Sequence, residues 1–310
     1  MPLMFFLYIF GAQPSWSMAC AGIHQGQREV VAPPSDGSKR DLLDVIEKFL
    51  SDAHAEVGTV NDSDLTVGDF FPMIQSPNLH LSQFNSLGDT FEHSELIADA
   101  LGLQQGRQIA KVVDFFCGSS IPTLRILASN PEWRSLRVTA VDVDPEAIQV
   151  SQKNAQELGL LGRYDFHNLD ALGFLRGNSS RFGKSTLAAL NPPYLPLPDQ
   201  LNEEKFAPVD GGPDGTKFLV PFLSYPYESG SLVAVTWSSL SNPRRIIDLI
   251  RQSYEIIYVH AYETEFGQYT NSAELLPYII AQREEGLSAF IESGEGHRRY
   301  LIIGTVLRKK

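Results

Sequence analysis

From Lys111 onward the chain alternates short apolar runs with helical segments, and this alternation constrains the fold more than any other feature. "KVVDFF", "RVTAVDVD", "RYDFHNLD", "STLAALNPPY" and "GSLVAVTWS" read as buried strands. Between them, "IPTLRILASN", "PEAIQVSQKNAQELGL", "ALGFLRG", "GTKFLVPFLSYPYES" and "NPRRIIDLIRQS" read as helices. Pro122 and Pro145 sit in first turns, where a missing N–H costs nothing. The fourth helix carries Pro221 and Pro226 and is expected to kink or break there. Strand–helix alternation predicts an α/β fold with a doubly wound, mostly parallel, Rossmann-like sheet. "YEIIYVHAYET" and "RYLIIGTVLRK" lack a full parallel crossover between them and predict an antiparallel C-terminal edge hairpin. Residues 268–294, inserted between those two strands, are expected to form a helix and a lid or arm.

The first 110 residues read differently. The apolar run Leu3–Phe10 lacks a basic flank and is shorter than the roughly 20 residues that span a bilayer. We expect a flexible extension there, with Met18 an alternative start. "VVAPPSDGSKR" (Val30–Arg40) has linker composition. The next segment places Leu42, Leu43, Ile46, Phe49 and Leu50 on one helical face, and His93–Leu103 reads as a second helix. Phe70, Phe71 and Phe84 are either core residues or a lid. The expected division is 1–40 as extension and linker, 41–105 as a helical cover or substrate region, and 106–310 as the α/β domain.

Charge and cysteine content narrow the function classes. There are 37 acidic and 25 basic residues, a net charge of −12. Such a chain is not suited to holding a phosphate backbone, so no nucleic-acid partner is expected; no membrane partner is expected either, the apolar run Leu3–Phe10 being too short to span a bilayer. The 2 cysteines, Cys20 and Cys117, give neither a disulfide framework nor metal-ligand spacing, consistent with a reducing, cytoplasmic setting.

The strand ends carry the chemistry, because ligands of doubly wound sheets sit there. "DFFCGSS" ends the first strand with Asp114, and Gly118 lets backbone approach a ligand. It matches neither a Walker loop nor a dinucleotide fingerprint. The second strand ends at Asp142, placed to accept both hydroxyls of a ribose, with Val143 beside it. Asp144 reads as the cap of the next helix. The third strand ends at Asp170, which either meets an adenine amino group or caps the short helix opening at Ala171. The fourth ends in Asn191-Pro192-Pro193-Tyr194. Four consecutive strand ends bearing Asp, Asp, Asp and Asn are more specific than any one of them.

With these residues assembled, the chain resembles class I S-adenosylmethionine-dependent methyltransferases. Within them it is similar to the branch with an Asn-Pro-Pro-Tyr motif, especially the protein-glutamine (release factor) methyltransferases. The resemblance runs from about Leu87 to Lys310 and rests on "NPPYLP" followed by "DGGPDGTKFL" (Asp210–Leu219). It implies S-adenosyl-L-methionine as cosubstrate. It assigns Asp114, Phe116 and Gly118 to the methionine arm, Asp142 to ribose and Asp170 to adenine, with Val143, Ala171 and Asn191 also among the cosubstrate-binding residues, and Asn191, Pro192 and Tyr194 to the acceptor. A planar nitrogen is a poor nucleophile because its lone pair is delocalised. The Asn191 side-chain oxygen and the Pro192 carbonyl can each accept an N–H from it, pre-aimed by the two prolines. Their dipoles also meet the positive charge that methyl transfer creates. The Tyr194 ring can stack on the planar group or border the sulfonium.

The sequence departs from that family in two places. Phe116 and Ser120 stand where glycines are common, and "LGDTFEHSEL" (Leu87–Leu96) replaces a Pro-Arg-Pro-Glu-Thr segment. The expected function is N-methylation of an amine or amide on a small molecule or peptide. Three alternatives stay open: protein-glutamine methylation, attack on the aminocarboxypropyl arm with release of methylthioadenosine, and a non-catalytic binding module. Trp237, His260, Arg298-Arg299 and Arg308–Lys310 read as structural.

Overall fold

The computed structural model describes residues 37–59, 79–81, 86–103, 108–133, 135–178, 182–201, 204–293 and 296–310. Expectations for residues 1–36 and for Phe70, Phe71 and Phe84 lie outside the described residues. Helix α1 (Gly37–Asp52) already begins inside the stretch read as linker. Strand β1 (Glu56–Thr59) follows, then α2 (Leu87–Gly102), β2 (Lys111–Phe115), α3 (Ile121–Ser129) and β3 (Arg137–Asp142). Next come α4 (Pro145–Glu157), β4 (Tyr164–Asn168), α5 (Ala171–Gly177), β5 (Thr186–Leu190) and α6 (Leu219–Leu223). The chain closes with β6 (Leu232–Ser238), α7 (Pro243–Ser253), β7 (Tyr254–Glu265), α8 (Leu276–Glu284), β8 (Ile291–Glu292) and β9 (Arg298–Lys309).

The strands form one sheet in the order β1-β7-β9-β6-β5-β2-β3-β4, with β8 paired to β9. Strands β2 to β6 are mutually parallel, and β9 runs antiparallel to both β6 and β7. The expected antiparallel pair is therefore present at that end of the sheet. The four-residue β1, which has no strand-like signature, pairs parallel outside β7. From β2 the chain winds outward through β3 and β4. It then returns to β5 on the other flank of β2, so the order reverses between β2 and β5.

The near-continuous apolar character of β2, β5 and β6 follows from burial on both faces. Along β5, Leu187 and Ala189 join one cluster with α2 and α3, through Leu96, Ile97, Ile126 and Leu127. Ala188 and Leu190 join the opposite cluster with Ile46 and Phe49 of α1 and Ile246 and Ile250 of α7. The result is helix, sheet and helix in three layers. The segment expected to kink or break at its prolines forms a five-residue helix that contains Pro221 and ends before Pro226. The insertion carrying α8 is packed rather than free, with Leu275, Ile279 and Phe290 in the core. Trp237 is fully buried, edge-on to Phe49 at 5.9 Å between ring centroids. The arginine clusters pair with acids: Arg298 with Glu292, Arg299 with Glu263 and Glu265, and Arg308 with Glu255. Among the described residues, no helix is long and apolar enough to cross a membrane.

His260 on β7 lies opposite Gly304 on β9. The ring is buried, and burial, with help from His93, pushes its pKa down to about 3, so it is neutral at ordinary pH. A Cβ at position 304 would stand 2.0 Å from His260 Nε2 and 2.5 Å from Cδ2. Gly304→Ala is therefore expected to destabilise the protein by at least about 1–3 kcal/mol in a denaturant melt. His260→Ala should recover part of the loss in that background. An unchanged midpoint for Gly304→Ala would refute this account of the strand pair.

Candidate active site

A cavity of about 1030 Å³ opens at the carboxyl ends of the parallel strands, lined from both sides of the β2/β5 reversal. Its size is at the upper end for a small-molecule site, generous for two ligands side by side. Asp114, Phe116, Gly118, Asp142, Val143, Asp170, Ala171, Asn191, Pro192 and Tyr194 all line it. The sheet thus brings together every site residue expected from sequence.

The loop after β2 shows why glycine is common in it. Phe116, Gly118 and Ser120 have φ of +60°, +50° and +56°, all in the left-handed region. Two of the three are not glycine, which carries strain of about 1–2 kcal/mol each. Neighbours offset it. Phe116 packs edge-on against Phe218 and Phe222 at 4.9 and 5.8 Å between centroids. Ser120 Oγ lies 3.0 Å from Ser151 Oγ, and Ser151 Oγ donates to Gly118 O at 2.7 Å. Asn154 Nδ2 donates to Ser119 O at 3.1 Å. Helix α4 therefore holds this loop from behind. Cys117 is buried there, and burial pushes its thiol well above the usual range, leaving it inert.

Asp142 joins β3 to the same loop. One oxygen accepts from Gly118 N at 2.9 Å and the other from Asp144 N at 3.0 Å. Burial raises its pKa, and those two N–H bonds oppose the rise. Each carboxylate oxygen has acceptor capacity beyond its one backbone bond. Val143 beside it is 70% exposed, an apolar surface turned to the cavity. Asp144 caps α4 by accepting from Glu146 N at 2.8 Å. Asp170 caps α5 by accepting from Gly173 N at 2.6 Å, so the capping alternative holds while the residue also lines the cavity.

The Asn191–Tyr194 segment is fixed by its surroundings. Leu195 N donates to Val209 O at 3.1 Å, Gly211 N to Leu195 O at 2.9 Å and Leu197 N to Gly212 O at 2.8 Å. The downstream glycine-rich segment thus runs alongside the motif. A Cβ on Gly211 would lie 2.7 Å from Tyr194 C, and one on Gly215 only 2.5 Å from Tyr194 O. Ser241 Oγ donates to that same carbonyl at 2.9 Å. Among the described residues, no hydrogen bond engages the Asn191 side chain, which is half-buried at the cavity wall. It is free to meet a ligand.

Sequence reasoning missed the contribution of α2. Its first turns bring Asp89 and His93, one helical turn apart, to the cavity. Tyr194 Oη donates to the Asp89 carboxylate, 2.6 Å from each oxygen. Burial and that carboxylate push the phenol well above its usual pKa, so it keeps its proton. His93 Nδ1 lies 3.0 Å from Thr236 Oγ1, and its Nε2 faces Asp114 Oδ1 at 3.7 Å. Asp114 also accepts from Thr123 Oγ1 at 3.2 Å. The signal was present in "DTFEH": charged residues at helical spacing on the face that must pack inward.

Gly215 has φ +75°, and its missing side chain makes room for Tyr194. Gly286 has φ +72° with nothing within 4 Å, so it isolates conformational strain from crowding. Gly286→Ala should cost about 1 kcal/mol, and Gly215→Ala should cost at least about 2 kcal/mol more. Equal losses in thermal melts of the two variants would show that the close approach is not a constraint.

No family model matches the chain. A release factor glutamine methyltransferase from Moorella thermoacetica is 37% identical over 108 residues, covering 32% of this chain and 36% of that protein. The Bacillus subtilis release factor glutamine methyltransferase is 32% identical over 122 residues, covering 36% of this chain and 39% of that protein. The chain therefore spans less than two fifths of the length of these curated relatives. A solved S-adenosylmethionine-dependent methyltransferase from Geobacter sulfurreducens, in complex with S-adenosyl-L-homocysteine, aligns at TM-score 0.38 and 15% identity, covering 71% of this chain and 91% of that one. Over the matched third, this chain resembles the release factor glutamine methyltransferases.

Proposed function

We propose that this protein is an S-adenosylmethionine-dependent methyltransferase whose acceptor is a nitrogen, in an amine or a side-chain amide. The reading is carried by the convergence of four consecutive strand ends, those of β2, β3, β4 and β5, on one cavity at the point where strand order reverses. The donor set fits the cosubstrate. Asp142 offers remaining carboxylate lone pairs to the ribose hydroxyls, with both its oxygens already oriented by backbone N–H groups. Exposed Val143 and Asp170 suit a flat base with an amino edge. Asp114 and the lining loop residues Phe116–Ser119 suit the methionine arm. When bound, the cosubstrate supplies an electrophilic methyl group on a sulfonium. Asn191 and Pro192 line the cavity; in this reading the amide oxygen of the first and the carbonyl of the second orient the acceptor N–H groups and stabilise positive charge on the nitrogen. Among acceptors, the relatives' names favour the side-chain amide of a glutamine in a protein or peptide.

A second reading is favoured by one observation. Phe116 takes up a left-handed position beside Phe218, so aromatic rings border the side assigned to the methionine arm. Attack on that arm in place of the methyl group would release methylthioadenosine.

Two measurements test these readings. Asp142→Ala should weaken S-adenosylmethionine binding by about 1.5–3 kcal/mol in calorimetry; unchanged affinity would sink the ribose assignment. Asn191→Ala, assayed on a glutamine-containing peptide, should lower turnover by about 10²–10³ while cosubstrate affinity stays within about twofold. S-Adenosylhomocysteine as the by-product supports methyl transfer, and methylthioadenosine formed without acceptor selects the second reading.

A further inference from the structure

The candidate site contains a buried phenol–carboxylate pair that the four strand ends do not account for. Asp89 is 4% exposed and Tyr194 6% exposed, and both line the cavity beside Asn191 and Phe116. The tyrosine backbone is already pinned by Ser241 and crowded by Gly211 and Gly215. Side-chain rotation is its only remaining freedom, and the two 2.6 Å contacts to Asp89 remove it. Asp89 lies in the first turn of α2, whose N-terminus is capped by Ser86. Lys217, also at the cavity wall, has its Nζ 2.6 Å from Asp210.

We propose that Asp89 is a positioning residue that tunes the cavity for a sulfonium, acting through Tyr194. The inference rests on the methyltransferase reading. A phenol that donates to a carboxylate gains electron density, which makes its ring face a better surface for a cation. In a buried setting the carboxylate's own charge is weakly screened and adds to the same effect. The pair therefore favours the positively charged S-adenosylmethionine over the neutral thioether S-adenosylhomocysteine. That preference aids both cosubstrate capture and product release. A residue that only held the fold together would affect the two ligands equally.

The test is calorimetric titration of the whole chain with each ligand. Asp89→Asn keeps the shape of the side chain and removes its charge. It should narrow the S-adenosylmethionine preference by about three- to tenfold, with S-adenosylhomocysteine affinity within about twofold of wild type. Tyr194→Phe should narrow it similarly, and the double variant no further than the larger single effect, because the two groups act as a unit. Thermal melts identify any variant that fails to fold, and the other single variant then decides. Equal losses for both ligands, or an unchanged ratio, would overturn the proposal. If wild type binds neither ligand, the methyltransferase reading itself fails, a result distinct from normal binding with an unaltered ratio in the variants.

Discussion

The candidate site depends on one close approach of two backbone segments. The end of β5 continues into Asn191–Leu197, and residues 209–216 run alongside it close enough that Gly211 and Gly215 have no room for a methyl group. Three backbone hydrogen bonds and a parallel bridge between Leu195 and Asp210 lock the two together. Two prolines restrict the first segment and left-handed glycines shape the second, so little entropy remains to be lost when a ligand arrives. An acceptor group at this wall would meet dipoles that are already in place, the arrangement that best stabilises a developing charge.

Helix α2 supplies the second constraint. It lies across the sheet over the β2/β5 boundary, in the same apolar cluster as Val112 and Leu187. From one face it reaches both strand ends, Asp89 to Tyr194 after β5 and His93 to Asp114 in the last residues of β2. Burying polar side chains on a packed helix face is unfavourable unless they are matched; here Tyr194 donates to Asp89 and Thr236 partners His93 Nδ1. The loop after β2 is held in a comparable way. Its left-handed Phe116 and Ser120 are tolerated because aromatic packing on one side and α4 hydroxyl and amide groups on the other over-determine the conformation.

Much of this was legible in the chain because it depends on local rules. Buried parallel strands must be apolar on both faces, so β2, β3, β5 and β6 announce themselves as short apolar runs. Proline openings and the Asp144 cap mark helix starts because the first turn has N–H groups to satisfy. In a doubly wound sheet ligand groups stand at strand ends, which is why Asp114, Asp142, Asp170 and Asn191 stand out in the sequence as candidates, and all four line the cavity. The short β1 escaped notice because its four residues carry no periodicity, and its pairing with β7 is purely long-range.

By itself, the sequence determined the strand–helix alternation, the strand-end carboxylates and the motif after β5, since each follows from periodicity, capping or backbone restriction within a few residues. Tertiary structure alone decided what those residues touch. Asp89 is 105 positions from Tyr194 in the chain, and Gly304 is 44 from His260, so neither contact leaves a local imprint. The same holds for Gly118 and Asp142, separated by 24 residues and joined by a 2.9 Å hydrogen bond. Such contacts are set by how the sheet is wound and where α2 is laid across it, which depends on the packing of the whole core.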